Sequence, residues 1–147
     1  TEAVTLIKNR RLARERVLQG IYAFEMTGDP YEKILADLKR YQTISTDVKE
    51  FMNRLFNTTV EHADWTKQEI ITRLENWDYD RVALIDRLIL QMMIAEMVFL
   101  EDVPPKVSIT EGVEISKKYS TEESGAFING ILDSVYHSLD ELSEPEQ

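Results

Sequence analysis

Apolar residues return every three or four positions along almost the whole chain, which is the spacing of one face of an α-helix. In the first segment, Ala13, Val17, Ile21 and Phe24 fall within an arc of about 80° when drawn at 100° per residue. Glycine is scarce and no run of alternating apolar and polar residues predicts a strand. The pattern predicts an all-α protein of seven helices, at about residues 8–26, 30–42, 47–61, 64–75, 80–101, 108–119 and 121–142.

Helix-start signals divide these segments from one another. Ser45 or Thr46 can cap the third helix and Asp64 the fourth, because short polar side chains accept the free N–H groups of a first turn. The segments 108–111 and 120–123 match the S-x-x-E capping box, which predicts that the last two helices begin there. The short connections predict a compact seven-helix bundle.

Residues 82–100 form the most apolar part of the chain, yet four polar residues interrupt them: Asp86, Arg87, Gln91 and Glu96. Charged groups are costly inside a bilayer, so this segment is predicted to be the buried central helix of the bundle and not a membrane span.

Length and composition favour one soluble domain in a reducing compartment. A chain of 147 residues can bury a core without metals or disulfides, and this one contains no cysteine. We expect residues 1–142 to form a single domain and residues 143–147 a flexible acidic tail. The charged start does not resemble a signal peptide, so we expect a cytoplasmic location and no membrane association.

Charge is distributed unevenly along the chain. The formal net charge is −10, but residues 1–16 hold five basic and two acidic residues, so this segment carries +3 and the rest −13. The acidic remainder repels polyanions, so any contact with a nucleic acid must be confined to a local patch. The basic residues of this segment are Lys8, Arg10, Arg11, Arg14 and Arg16.

Arginine is well suited to binding phosphate, because its planar guanidinium donates two parallel hydrogen bonds. Arg10 and Arg14 lie one turn apart beside the apolar stripe of the first helix. Basic residues at a helix start also oppose the helix dipole, which indicates a role beyond folding. The pattern leaves three interpretations open: a polyanion-binding patch, a solvated face whose arginines pair with the protein's own acids, and a membrane-surface helix.

Catalysis has little support in the sequence. The two histidines, His62 and His137, are solitary and far apart, and no nucleotide-binding, zinc-protease or serine-hydrolase motif occurs. We therefore predict that the protein is not an enzyme and that it uses no cofactor and no metal.

Three stretches together resemble the NusB family of transcription antitermination factors. They are an arginine-rich opening motif, an Asp-Arg, Ile-Leu and glutamate pattern on the central helix, and a C-terminal signature in two parts. In this sequence they lie at residues 10–15 with Gln19 and Tyr22, at residues 86–96, and at residues 102–113 and 127–133.

The resemblance implies an all-helical fold of two packed three-helix units and an RNA-binding function without catalysis. It implies that the protein binds single-stranded boxA-type leader RNA of ribosomal operons together with NusE, a small-subunit ribosomal protein, within the RNA polymerase antitermination complex. The implied RNA-binding residues are Arg10, Arg11, Arg14, Lys106, Ser124 and Phe127. The implied partner-binding residues are Tyr22, Asp80 and Asp86.

Two alternatives to this function remain open at the level of sequence. One is a protein-interaction module of the same fold that does not bind RNA, and the other is an accessory domain of a ribosomal RNA methyltransferase. A homodimer that hides the arginines is also possible. The RNA-binding hypothesis expects the guanidinium groups to face solvent and not to be neutralised by the protein's own carboxylates.

Overall fold

A computed structural model of the chain describes residues 1–40, 45–76 and 78–141. Across these residues it contains seven α-helices, one short 3-10 helix and no strand. The α-helices are α1 (Glu2–Thr27), α2 (Tyr31–Arg40), α3 (Thr46–Glu61), α4 (Ala63–Ile71), α5 (Leu84–Phe99), α6 (Pro105–Tyr119) and α7 (Glu122–His137), and the 3-10 helix is Tyr79–Arg81.

The helices pack as two groups of three around one core. Helices α1, α2 and α3 contact one another, as do α5, α6 and α7, while α1, α3 and α4 pack against α5. Helix α5 is apolar on nearly all sides, and its residues 88–97, except Gln91, are buried. The predicted all-α architecture, with the apolar helix at its centre, is therefore confirmed.

Two predicted caps, those of the fourth and sixth helices, are wrong because both helices begin earlier than the sequence predicts. Ser108 lies inside α6, where its hydroxyl is buried and donates to Glu96 Oε2 at 2.6 Å. Helix α6 begins earlier, at Pro105, because proline fits the first helical turn. Only His62 separates the end of α3 from the start of α4 at Ala63. Asp64 therefore falls within the first turn of α4 and is not its cap.

Other boundaries agree more closely with the sequence. Ser45 caps α3 as predicted, with its side chain accepting from Val48 N. Helix α7 is capped by Thr121, one residue after the Ser120 of the predicted capping box, and α1 begins six residues before its predicted start, at Glu2 instead of residue 8. The predicted end of the second helix at residue 42, that of the last at 142 and the tail 143–147 lie outside the described residues.

Within the described ranges, none of the helices is long and apolar enough to cross a membrane.

Candidate nucleic-acid interface

Helices α1 and α6 carry most of the predicted RNA-binding residues, and an ionic cluster holds the two helices together. Lys118 Nζ lies 2.6 Å from Glu15 Oε1, and the Tyr119 hydroxyl donates to the same oxygen at 2.7 Å. Burial raises the pKa of Glu15, but the hydrogen bonds from Lys118 and Tyr119 outweigh it and hold that pKa below its ordinary value. The carboxylate therefore stays charged and fixes α6 along α1.

The two helices border a shallow depression, which we call the α1–α6 groove. Four of the six predicted RNA-binding residues line it, namely Arg10, Arg11, Arg14 and Lys106. Its remaining walls are mainly apolar, and they are formed by residues such as Leu6, Ile7, Val103 and Val107.

Arg14 does not reach the surface of this groove. Its residue surface is 1% exposed, and its guanidinium lies between two buried carboxylates. Arg14 Nε donates to Glu96 Oε1 at 2.6 Å, and Nη1 donates to Glu111 Oε1 at 3.3 Å. Because its charge is enclosed and paired, the expectation that Arg14 contacts RNA phosphate does not fit the structure, and we assign it to the interior.

The sequence did contain a signal for this arrangement. Glu96 lies in the middle of the most apolar helix and is fully buried, and a buried carboxylate requires a cationic partner. Arg10 and Arg14 both sit beside the apolar stripe of α1, and it is Arg14 that enters the core and supplies that charge.

Arg11 is half-exposed and forms a bidentate ion pair with Glu111. Its Nε donates to Glu111 Oε1 at 3.0 Å and its Nη2 to Oε2 at 2.6 Å. The hydrogen bonds to Glu111 raise the pKa of Arg11, so the side chain is always charged. Glu111 itself is 4% exposed, so the cation faces solvent while its counter-charge lies beneath it.

Arg10 shares a carboxylate with Arg54, a residue of α3 that sequence reasoning missed. Arg10 Nη2 lies 2.9 Å from Asp102 Oδ2, and Arg54 Nη2 lies 2.6 Å from Asp102 Oδ1. The hydrogen bond from Arg54 is the main cause that holds the pKa of Asp102 well below its ordinary range. Nothing in the sequence links residue 54 to this site, because α1 and α3 come together only in the folded protein.

The expectation of unpaired guanidinium groups is therefore wrong for all three arginines of the opening motif. Each of them pairs with a carboxylate of the protein itself. Positive groups nevertheless remain at the surface, because the side chain of Arg11 is 40% exposed and that of Arg54 is 45% exposed. Lys106 is also exposed, with its Nζ 5.9 Å from the centre of the Tyr136 ring.

Ser124 and Phe127 lie elsewhere, in a second depression that we call the α5–α7 groove. They line it together with Arg81, Val82 and Asp86. The Ser124 hydroxyl donates to Asp86 Oδ2 at 2.9 Å, and the Phe127 ring is half-buried on the groove wall. The structure thus brings two predicted RNA residues together with one predicted partner residue.

The three predicted partner-binding residues differ in their exposure to solvent. Tyr22 is 39% exposed on α1, and Asp80 is exposed on the 3-10 helix. Asp86 is 7% exposed and already accepts a hydrogen bond from Ser124. Its burial argues against a direct contact with a protein partner, so Tyr22 and Asp80 are the accessible members of the set.

Each of the two histidines lies beside another side chain of the protein. The His62 ring stacks on Phe99 with 3.8 Å between ring centres, and His137 lies on α7 beside Asp133. Among the residues that the structure describes, no group of three or more His, Asp or Glu side chains is arranged to hold a metal ion.

The sequence matches the family model described as NusB family over residues 11–137. Transcription antitermination protein NusB of Methylacidiphilum infernorum is 41% identical over 128 residues, which cover 86% of this chain and 90% of that protein. The protein of the same name from Chloroherpeton thalassium is 36% identical over 135 residues, which cover 91% of this chain but 64% of that protein.

Solved structures agree with these sequence matches. NusB of T. maritima has a TM-score of 0.80 at 32% identity, covering 90% of this chain and 97% of that one. A chain in the crystal structure of antitermination factors NusB and NusE in complex with dsRNA has a TM-score of 0.80 at 25% identity, covering 89% of this chain and 98% of that one. The central helix and the C-terminal signature fall within the matched residues, as does the arginine-rich opening apart from Arg10, and the chain belongs to the NusB family of transcription antitermination proteins.

Proposed function

We propose that this chain binds RNA and acts with NusE as a transcription antitermination factor. Family membership supports the antitermination function, and it also accounts for the absence of catalytic motifs, because the NusB family is not one of enzymes. A chain of similar fold occurs in a solved complex of NusB, NusE and dsRNA. We propose boxA-type leader RNA of ribosomal operons as the ligand, in the cytoplasm and within the RNA polymerase antitermination complex.

The observation that carries the RNA-binding proposal is the group of exposed cations along the α1–α6 groove. Arg11 and Lys106 project from two different helices into one depression, and Arg10 lies partly exposed beside them. Arg11 retains donors beyond those bound to Glu111, because a guanidinium carries five N–H groups. On a protein with a net charge of −10, a local group of exposed cations of this kind is what phosphate binding requires.

Sequence preference would come from the α5–α7 groove. Single-stranded RNA is recognised largely through unstacked bases that pack on aromatic rings. Phe127 offers such a ring on the groove wall, whereas Ser124, three residues before it, is 8% exposed and already donates to Asp86, so it lines the groove without a free hydroxyl hydrogen. We propose that backbone phosphates follow the α1–α6 groove while a base packs on Phe127.

NusE is proposed to dock at the exposed residues Tyr22 and Asp80. The acidic character of the chain outside residues 1–16 favours a basic protein partner, which it would attract over a distance of several ångströms. Arrival of this partner would complete the RNA-binding surface, so the chain alone should bind RNA weakly and the heterodimer should bind it well.

We also propose that residues 1–142 act as one domain.

The experiment measures the affinity of a boxA-type single-stranded RNA for the chain, with and without NusE, across a range of salt concentrations. Removal of one phosphate contact in Arg11→Ala should flatten the slope of log affinity against log salt by about 0.7. The control is Lys33→Ala, because Lys33 pairs with Asp29 beyond the opposite end of α1. Equal affinity with and without NusE would contradict the heterodimer proposal, and no RNA binding in either case would contradict the function.

One observation favours the alternative of a protein-interaction module without RNA. All three arginines of the opening motif pair with internal carboxylates. In that case NusE binding survives while RNA binding is absent or independent of salt.

A homodimer is a further proposal, since Leu6, Ile7 and Val107 are exposed apolar residues beside the arginines. Sedimentation of the free chain, with Ile7→Glu as the comparison, measures it directly.

A further inference from the structure

Arg54 belongs to none of the stretches that resemble the family, yet it stands beside the proposed RNA-binding arginines. It projects from α3, and its Nη1 and Nη2 both donate to Asp102, at 3.2 Å to Oδ2 and 2.6 Å to Oδ1. Asp102 lies between α5 and α6 and also accepts from Arg10. Two guanidinium groups from different helices therefore meet at one carboxylate.

These two cations are held close together by a ring as well as by the carboxylate. The centre of the Phe51 ring lies 4.5 Å from Arg10 Cζ and 6.0 Å from Arg54 Cζ. An aromatic face attracts a guanidinium and fixes the orientation of its plane. Phe51 is buried, so it forms a fixed support under both side chains.

The cluster of Arg10, Arg54 and Asp102 carries one positive charge in excess. Asp102 takes one hydrogen bond from Arg10 and two from Arg54, whereas each guanidinium carries five N–H donors. Donors on both arginines are therefore free to bind another anion. The exposed fraction is 45% for the Arg54 side chain and 45% for Asp102, so the cluster is open to a ligand.

We propose that Arg54 binds an RNA phosphate together with Arg10, and that Asp102 competes with this phosphate for the two guanidinium groups. This inference rests on the proposed RNA-binding function and extends its surface from α1 and α6 to α3. A phosphate offers several acceptor oxygens that match the guanidinium fork, so it can bind the donors that Asp102 leaves unused. Asp102 holds the two arginines in place and weakens their attraction for the backbone.

The competing role of Asp102 predicts effects of opposite sign for two substitutions. Arg54→Ala removes a phosphate contact, so affinity for a boxA-type RNA should fall and the salt slope should flatten by about 0.7. Asp102→Asn keeps the shape and removes the negative charge, so affinity at low salt should rise about fivefold. A purely structural ion pair would not produce this rise. The charge of Asp102 has to be removed by substitution, since an aspartate is ionised at neutral pH.

The matched controls are Lys33→Ala and Asp29→Asn, which break an exposed ion pair beyond the far end of α1. Arg11→Ala tests the proposed function separately, because Arg11 pairs with Glu111 and not with Asp102. Thermal unfolding of each variant identifies any that fails to fold, and surface ion pairs contribute little to stability. A small change in melting temperature is therefore expected for Arg54→Ala and Asp102→Asn.

The outcomes separate the two hypotheses. If the wild-type chain with NusE binds RNA with a steep salt dependence that Arg11→Ala flattens, the proposed function stands. If in that case Arg54→Ala behaves like Lys33→Ala and Asp102→Asn gives no rise in affinity, the assignment of Arg54 is overturned. If the wild-type complex binds no RNA, the proposed function fails and the assignment of Arg54 fails with it.

Discussion

Replacing Arg14 by methionine should lower the free energy of unfolding of the protein without removing an RNA contact. Methionine keeps much of the length of the side chain but none of its charge. Glu96 is fully buried and would retain one hydrogen bond, that from Ser108, while Glu111 would keep Arg11. Removing one partner of a buried ion pair costs about 3–5 kcal/mol, because the remaining charge stays desolvated. We expect a loss of about this size in the free energy of unfolding.

Urea denaturation of wild type and Arg14→Met measures this loss. The double variant Arg14→Met/Glu96→Met supplies the control, because a buried ion pair replaced by apolar side chains of similar volume is often neutral or stabilising. We expect the double variant to recover most of the lost stability. A loss below about 1 kcal/mol in Arg14→Met, combined with a flattened salt slope for RNA, would refute the assignment of Arg14 to the interior.

Four further predictions concern stability away from the buried pair. Thr121→Ala removes the side chain that caps α7 at Ser124 N, so thermal and urea unfolding should show a loss of about 1 kcal/mol. Gly28→Ala should cost about 1 kcal/mol because Gly28 ends α1 at φ 70°, whereas Gly130→Ala should gain about 0.5–1 kcal/mol because this helical glycine has no described atom within 4 Å of an added Cβ. Asp102 has a lowered pKa in the folded protein, so its contribution to stability is present above the ordinary aspartate pKa of about 4 and is lost as the pH falls below that value. The stability of Asp102→Asn, followed by urea denaturation between neutral pH and about pH 3, should therefore decline less than that of wild type.

The fold followed closely from the sequence because helical periodicity is a local property. The apolar stripe of α1 indicates which of its faces is buried, and the continuous apolar segment of α5 indicates that this helix lies in the core, before any partner helix is known. Boundaries were less predictable. The hydroxyl of Ser108 was interpreted as a helix cap, but it donates a hydrogen bond to Glu96 of another helix, and this tertiary contact cannot be seen in the S-x-x-E pattern.

The candidate site was predictable in its position but not in its electrostatics. The arginine-rich stretch and Lys106, which the resemblance assigned to RNA binding, line one groove between α1 and α6. Its pairing with Glu96, Asp102 and Glu111 depends on residues more than 80 positions away in the chain. A helical projection places Arg14 beside the core, and Glu96 in the apolar helix indicates a buried carboxylate, but neither pattern shows that these two residues meet.

The central claim is that exposed arginines of this chain bind RNA phosphate while Arg14 remains inside. Nuclear magnetic resonance of the arginine Nε–Hε groups, recorded while a boxA-type RNA is added to the complex with NusE, tests it most directly. The account predicts that the signals of Arg10, Arg11 and Arg54 shift as the RNA binds and that the signal of Arg14, bonded to Glu96, stays in place. It is contradicted if the three exposed arginines give no response, or if Arg14 shows the largest shift.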